Sequence, residues 1–260
     1  MPNRQDLIEI WKSEERQPFT GWDFSYLDGR MFEGQAPWSY STRAAERMRV
    51  AGSVLDMGTG GGERLLKLRP TWPARVAATE EYPPNFKLAT ERLAPLGVTV
   101  IDAPLTRMGS MPFADGEFDL VLNRHSGFNS REVARILAPG GVFLTQQIDG
   151  HWARDLEAIF GVQPQWPDAT QANSIAWLTA AGLKIVTAEE WWGELAFSDV
   201  GSIVYYLRAV PWLVPGFAVE THLAGLLELQ AWLERGERLS FLAGKFLIEA
   251  HQVALTFPAA

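Results

Sequence analysis

Cysteine is absent from the 260 residues. That removes disulfide staples, thiol nucleophiles and Cys-ligated zinc together, and it fits a reducing compartment. A long apolar run is missing as well. The opening MPNRQDLIEIWKSEE is interrupted by charge and has no apolar core of signal-peptide length. The longest later candidate, GSIVYYLRAVPWLVPGF, contains Arg208 and two prolines, and falls short of the ~20 apolar residues of a membrane span. The expectation is a cytoplasmic protein with no membrane partner. Basic excess is missing too: the net charge of −8 gives no general attraction to phosphate backbones. Arg43, Arg47 and Arg49, then Arg64, Lys67 and Arg69, are spaced as solvated helix faces. A nucleic-acid partner is not expected. The four histidines nowhere form H-x-x-x-H, so no metal site is expected either.

What the chain has is a large apolar fraction, 47%, enough at this length for one sizeable core. Residues 1–49 combine a short amphipathic helix, LIEIWKSEE, an aromatic loop, FTGWDFSYLDGRMFEGQAPWSY, and a helix over 41–48. From Ser53 onward, strands and helices alternate. SVLDMG, RVAATE, VTVID, FDLVLN and VFLTQQI read as short apolar strands. Helices are expected after Glu63, over PPNFKLATERLAPLG with its early prolines and closing glycine, and over SREVARILAPGG. That alternation is the pattern of an open parallel sheet with helices on both faces. Farther on, helices are expected near 156–160 and 173–181, with a long strand at LKIVTAEEWWGELAF. Two more helices, in SDVGSIVYYLRAV and FAVETHLAGLLELQAWLERGE, precede a last strand at KFLIEAHQVALTF.

The densest signal is VLDMGTGGGE at residues 54–63, with four glycines and two carboxylates around one turn. Glycine at such a junction serves either a tight turn or a ligand that must approach the main chain more closely than a Cβ allows. In a doubly wound sheet, this first turn meets the ligand. The pattern G-x-x-x-x-G-K-S/T is absent, which excludes a P-loop. The dinucleotide pattern G-x-G-x-x-G/A meets glutamate at its last place, and Asp56 ahead of the turn would repel a pyrophosphate. A ligand with a cationic group and no phosphates suits Asp56 better. The stretch resembles the first motif of class I S-adenosylmethionine-dependent methyltransferases, an acid followed by G-x-G-x-G. Asp56, Gly58, Gly60 and Gly62 match it in order.

Other segments add to the resemblance. Glu80 ends the second strand, 24 residues after Asp56, where the family's acid accepts hydrogen bonds from both ribose hydroxyls. MPFADGEFDLVLNRH is similar to the family's fourth-strand signature, with Phe118-Asp119 as its aromatic-acid pair. REVARILAPGGVFLTQQ is similar to the helix, Pro-Gly-Gly turn and strand that follow. One place departs: where family members often carry an adenine-reading Asp, four residues before the L/M-P-F, this chain has Arg107 in the loop PLTRMGS. Asp102 lies farther back and can equally be a strand-end cap.

The resemblance implies an α/β, Rossmann-like, doubly wound, seven-stranded mixed sheet in a single domain. Residues 1–49 would form an N-terminal cover, 50–195 and 241–260 the core, and 196–240 a helical insertion before the last strand. It implies S-adenosyl-L-methionine as cofactor. Asp56 would hold the methionine end, the main chain at Gly58, Thr59 and Gly60 would lie alongside, and Glu80 would hold the ribose. Glu81, Ser110, Met111 and Asn123 would complete the cofactor site, with adenine read around Ser110 and Met111.

Methyl transfer from a sulfonium needs little covalent help, because the leaving group is already activated; alignment and exclusion of water do most of the work. Sequence therefore specifies the donor better than the acceptor. His125, just past the fourth strand, is the candidate catalytic residue, with a pKa range suited to a base; its other reading is a histidine hydrogen-bonded beside the cofactor. Asp149 and His151 are a second polar pair that can equally be a loop cap. N-R-H-S at 123–126 lacks the N-P-P-Y type of segment that grips a planar amino nitrogen. Trp22, Phe24, Tyr26, Phe32, Trp38 and Tyr40 crowd one segment, and Trp191, Trp192, Tyr205, Tyr206 and Trp212 another. They read either as walls of an acceptor pocket or as plain packing. The expected activity is methylation of a small or medium-sized molecule. The alternatives are an RNA or protein methyltransferase, a noncatalytic S-adenosylmethionine-binding protein, or a nicotinamide-dependent oxidoreductase.

Overall fold

The computed structural model describes residues 3–19, 23–103 and 110–253. Trp22, Arg107 and the end of the expected last strand lie outside the described residues. The first half of the chain gives α1 (Arg4–Glu15), β1 (Met31–Glu33), α2 (Tyr40–Met48), β2 (Ser53–Met57), α3 (Glu63–Lys67), β3 (Arg75–Glu80), α4 (Pro83–Leu93) and β4 (Thr99–Asp102). The second half gives β5 (Phe118–Arg124), α5 (Ser130–Ile136), β6 (Leu137–Ile148), α6 (Arg154–Ile159), α7 (Gln171–Ala180), β7 (Leu183–Phe197), α8 (Val200–Ala209), α9 (Leu223–Glu234) and β8 (Leu239–Gln252).

Local chemistry explains most of these boundaries. Asn3 closes a capping box on α1, Ser39 caps α2, Asn129 caps α5 and Asp199 caps α8. Two prolines open α4, where missing N–H groups cost nothing. The strands form one mixed sheet of order β1-β7-β8-β6-β5-β2-β3-β4. Among the described residues it has eight strands rather than the expected seven. The extra one is β1, whose Met31 pairs antiparallel with Phe197 of β7. Three residues are too few to show a period of two, so this strand was invisible as a pattern. The strand β6 also begins earlier than expected, at Leu137, ahead of Pro139-Gly140-Gly141. A register shift against β5 absorbs the turn. At Gly141 a Cβ would sit 2.8 Å from the Ala138 carbonyl oxygen, so close backbone approach demands the glycine.

The chain divides into two compact units. One comprises residues 37–148, 169–190 and 245–260, and the other comprises 1–36, 149–168 and 191–244. Strands β7 and β8 contribute residues to both. In the first unit β4, β3, β2, β5 and β6 run parallel, and β8 joins β6 antiparallel. Side chains alternate across this sheet as strand geometry requires. Leu55, Met57, Val121, Phe143, Phe246 and Ile248 pack with Val133 and Ile136 of α5 and Leu178 of α7. On the opposite face Val54, Leu120, Leu122, Leu144 and Leu247 pack with Ala44 of α2, Leu65 of α3 and Leu93 of α4. Burial on both faces makes these strands near-continuous apolar runs.

In the other unit α1 packs on α8, with Trp11 fully buried. The aromatic residues of the two crowded segments meet each other there: Phe24 lies 6.0 Å from Tyr206 and Tyr26 lies 4.5 Å from Tyr205, between ring centroids. Arg30 joins Asp199 and Glu14 beneath them. No helix among the described residues is long and apolar enough to cross a membrane.

Candidate active site

The turn after β2 is built by left-handed glycines. Gly58, Gly60 and Gly62 have φ of 66°, 64° and 83°, a region that residues with a Cβ rarely enter. Gly62 also serves packing, since a Cβ there would lie 2.9 Å from Leu93 of α4. The turn is then pinned at each end by an acid. Asp56, one residue before the end of β2, accepts a hydrogen bond from Thr59 Oγ1 at 2.7 Å. Glu80, at the end of β3, accepts from the Gly60 amide at 2.7 Å and from the Tyr82 amide at 2.9 Å. Thr59 N–H donates to the Thr79 carbonyl at 2.9 Å, tying the turn to β3. Glu80 therefore shapes the glycine turn with the same carboxylate that the resemblance gives to the ribose.

Electrostatics single out Asp56. Burial pushes its carboxyl up to about 6, against opposing pulls from the Thr59 hydroxyl and from Arg64 and Arg124. Tyr40, the first residue of α2, is buried beside it, and burial with the Asp56 charge raises its hydroxyl well above the usual range. That hydroxyl lies near the Asn123 main-chain N–H without closing a hydrogen bond, and has no partner among the described residues. Arg64 was expected on a solvated helix face. It instead leaves α3 to donate to Ser41 Oγ at 2.7 Å and acts on Asp56, Tyr40 and Arg124. Arg124, the last residue of β5, is lowered to about 10 by burial and by Arg64.

Asn123 is fully buried and lies opposite Met57 in the β2–β5 register. Its Oδ1 accepts from Thr145 Oγ1 at 2.9 Å, while its Nδ2 has no partner among the described residues. His125 follows in a left-handed backbone conformation, φ 56°, unusual for a residue with a side chain. Trp38 Nε1 donates to Gln146 Oε1 at 2.9 Å, which orients the Gln146 amide so that its Nε2 donates to His125 Nε2 at 3.0 Å. The ring nitrogen Nε2 is thus an acceptor already in use. Burial, then Arg124 and Arg64, hold the imidazole well below its ordinary pKa, so it is neutral.

The remaining expected residues sit elsewhere on the same unit. Glu81 is exposed just past β3. Ser110 is exposed, and the Met111 amide is committed to Glu132 of α5 at 2.8 Å, with the Met111 carbonyl taken by Arg135 at 3.0 Å. Asp102 ends β4 in register with Glu80. In the other unit, Asp149 Oδ1 accepts from the His151 amide at 2.9 Å and meets His151 Nδ1 at 3.0 Å, an Asx turn at the loop. No group of three potential metal ligands occurs among the described residues.

An acid-flanked glycine turn at the carboxyl ends of parallel strands narrows the choice of family, and residues 55–145 match the family described as "Methyltransferase domain". This stretch of the chain carries a methyltransferase domain. The match runs from β2 into β6, so it includes the turn, Glu80, Asn123 and His125. No curated protein matches the chain. Among solved structures it is similar to a candidate methyltransferase from Bacillus halodurans, at 16% identity over 82% of this chain and 97% of the other, TM-score 0.59. It is similar to the YcgJ protein from Bacillus subtilis, at 17% identity over 82% and 98%, TM-score 0.58. It is also similar to the [4+2]-cyclase SpnF, at 16% identity over 97% and 98%, TM-score 0.53. At these identities the likeness is one of fold.

Proposed function

We propose that the protein binds S-adenosyl-L-methionine over the glycine turn and passes its methyl group to a small or medium-sized acceptor. The observation that carries this is the turn itself: left-handed Gly58 and Gly60 between Asp56 and Glu80, with Tyr40 and Asn123 holding polar atoms that nothing in the fold satisfies. Buried polar atoms without partners are uncommon in folded proteins and call for an explanation, which a bound molecule would supply here. Asp56 would take the methionine ammonium, Thr59 would steady that carboxylate, and Glu80 and Glu81 would border the ribose. Ser110 and Met111 would border the adenine, Met111 through its side chain because its amide is already engaged. When bound, the cofactor supplies a sulfonium-activated methyl group.

His125 would meet the acceptor as a hydrogen-bond donor through Nδ1, since its Nε2 lone pair is held by Gln146. A neutral donor positions a nucleophile without removing its proton. The acceptor would then be a group nucleophilic as it arrives. The acidity of the chain favours a small molecule over RNA, and a cytoplasmic location is proposed on the same reading of the sequence. The fold is shared with a [4+2]-cyclase, so binding alone does not establish transfer. Calorimetry should show S-adenosylhomocysteine binding to the protein, and isotope from the labelled methyl donor should appear in a member of a small-molecule library. Binding of NAD with no response to S-adenosylhomocysteine would reverse the reading.

A further inference from the structure

We infer that Arg124 and Arg64 form a carboxylate seat beside Asp56, which takes the carboxylate of the methyl donor's amino-acid end while Asp56 takes its ammonium. The inference rests on the cofactor reading above and adds two residues to it.

Placement comes first. Asp56 is level with Leu122 across the β2–β5 pair, so Arg124 lies two positions beyond, at the carboxyl end of the neighbouring strand. Arg64 lies in the first turn of α3, on the far side of the glycine turn, and is tethered to Ser41, the residue after Tyr40. Both guanidinium groups act on Asp56 and on Tyr40, and Arg64 acts on Arg124. The register and the Ser41 tether thus bring both guanidinium groups within electrostatic reach of Asp56 and Tyr40.

Other half-buried arginines in the chain have acid partners: Arg30 has Asp199 and Glu14, Arg47 has Glu249, Arg43 has Glu189, and Arg135 has Glu132 and Asp115. Arg124 has no hydrogen bond or salt bridge from its side chain among the described residues, and Arg64 has only a serine hydroxyl. Two guanidinium groups set against the single carboxylate of Asp56, with no acid in contact among the described residues, leave an excess of positive charge, and burial makes that costly. Tyr40 adds an unpartnered hydroxyl donor.

Ligand chemistry then decides what belongs there. The ammonium and carboxylate of an α-amino acid share one carbon, so a ligand whose ammonium meets Asp56 brings its carboxylate to the groups around Asp56. Without the arginines, that carboxylate would confront the Asp56 charge. With them, each end of the zwitterion has its complement, and Arg suits a carboxylate through paired N–H donors.

The test compares two ligands by calorimetry: S-adenosylhomocysteine, and 5′-methylthioadenosine, which lacks the amino-acid end. Arg124→Met should weaken S-adenosylhomocysteine by about 10- to 100-fold and leave 5′-methylthioadenosine within about twofold, and Arg124→Lys should restore part of the loss. Arg64→Met should act in the same direction. Equal weakening of both ligands, or weakening of neither, would overturn the seat. On the unaltered protein, the carboxamide analogue of S-adenosylhomocysteine should bind about 10-fold or more weakly than the acid, a result independent of whether any variant folds. Equal affinity for acid and amide would overturn the seat while leaving the cofactor reading intact. Failure of the unaltered protein to bind any of these ligands would instead remove the cofactor reading, and the seat with it.

Discussion

The two ends of the same parallel strands are furnished in opposite ways. At the amino end, Asp119 Oδ2 accepts from the Gly52 amide, the Ser53 amide and Ser53 Oγ, each at 2.9 Å, and Ser53 Oγ accepts the Asp119 amide at 2.9 Å. Arg47 is held by both oxygens of Glu249, at 3.0 and 2.6 Å. A groove of about 320 Å³ opens here, lined by Arg47, Gly52 and Asp119 among others, yet these polar groups are already answered. At the carboxyl end, Tyr40 and Asn123 hold orphaned atoms, Arg124 makes no salt bridge among the described residues, and His125 is held in a strained backbone conformation. Unmet polarity, more than the size of a hollow, marks the site.

The largest expected effect breaks or confirms that contrast directly. Asp56→Ala should reduce affinity for S-adenosylhomocysteine by about 100-fold or more, as removal of one partner from a buried ion pair costs about 3–5 kcal/mol. Asp119→Ala should leave affinity unchanged within error and lower unfolding free energy by about 1 kcal/mol, because two backbone donors and a hydroxyl exchange an exposed acceptor for water. Calorimetry and urea titration of the two variants separate the roles. A comparable affinity loss in both would erase the distinction between the two ends.

Next in size is the effect of pH. Asp56 must be ionised to attract an ammonium, and its carboxyl titrates near 6 in the folded protein. Affinity for S-adenosylhomocysteine should hold from pH 8 to about 6.5 and then fall toward about tenfold per unit below 6. The stability consequence has the opposite sign. Because folding raises this carboxyl from 3.8 to about 6, the ionised form opposes folding, fully above pH 6 and not at all below about 4. Asp56→Asn should therefore raise the melting temperature of the ligand-free protein at pH 8 and have little effect at pH 3.5. A melting temperature unchanged at pH 8 would mean that the Asp56 site is well solvated.

A smaller effect concerns His125. Its imidazole is neutral across the physiological range, so the pH profile of kcat should show no inflection from this group between 6 and 8. Trp38→Phe removes the donor that orients Gln146, and it should lower kcat by about 10-fold through the histidine, with little change in cofactor affinity. Proton-coupled nitrogen spectra of His125 should show the proton on Nδ1. A histidine inflection near 6.5 would restore the role of base that the sequence suggested.

These contrasts explain what could be foreseen. The order of elements was legible because strands buried on both faces become apolar runs, and because proline, glycine and asparagine mark the helix ends. The glycine turn and Glu80 were legible as motifs because their constraints are local: a left-handed backbone and a carboxylate at a strand end. Arg64 was not, since its spacing with Lys67 and Arg69 matches a solvated helix face and only its tether to Ser41 turns it inward. Gln146 and Trp38 carry no local signal at all, for they meet His125 from 21 and 87 residues away. The strand β1 failed for shortness alone.

The smallest expected effect lies in the other unit, where an acid is paired as fully as Asp119 is. Asp199 caps α8 through the Ser202 amide at 2.8 Å and grips Arg30 through both oxygens, at 3.0 and 2.7 Å. Burial alone would raise its carboxyl, but Arg30, Ser198 and Ser202 outweigh burial and hold it below the ordinary value. Its contribution to stability is therefore present above pH 4 and lost as pH falls through the lowered pKa, the reverse of Asp56. Asp199→Asn keeps an acceptor for the Ser202 amide and removes only the charge. With the carboxylate side chain 41% exposed, water screens the pair, and the cost should be about 1 kcal/mol or less by urea titration at pH 7. Affinity for S-adenosylhomocysteine should be unaltered, since the charge removed already had its partner within the fold.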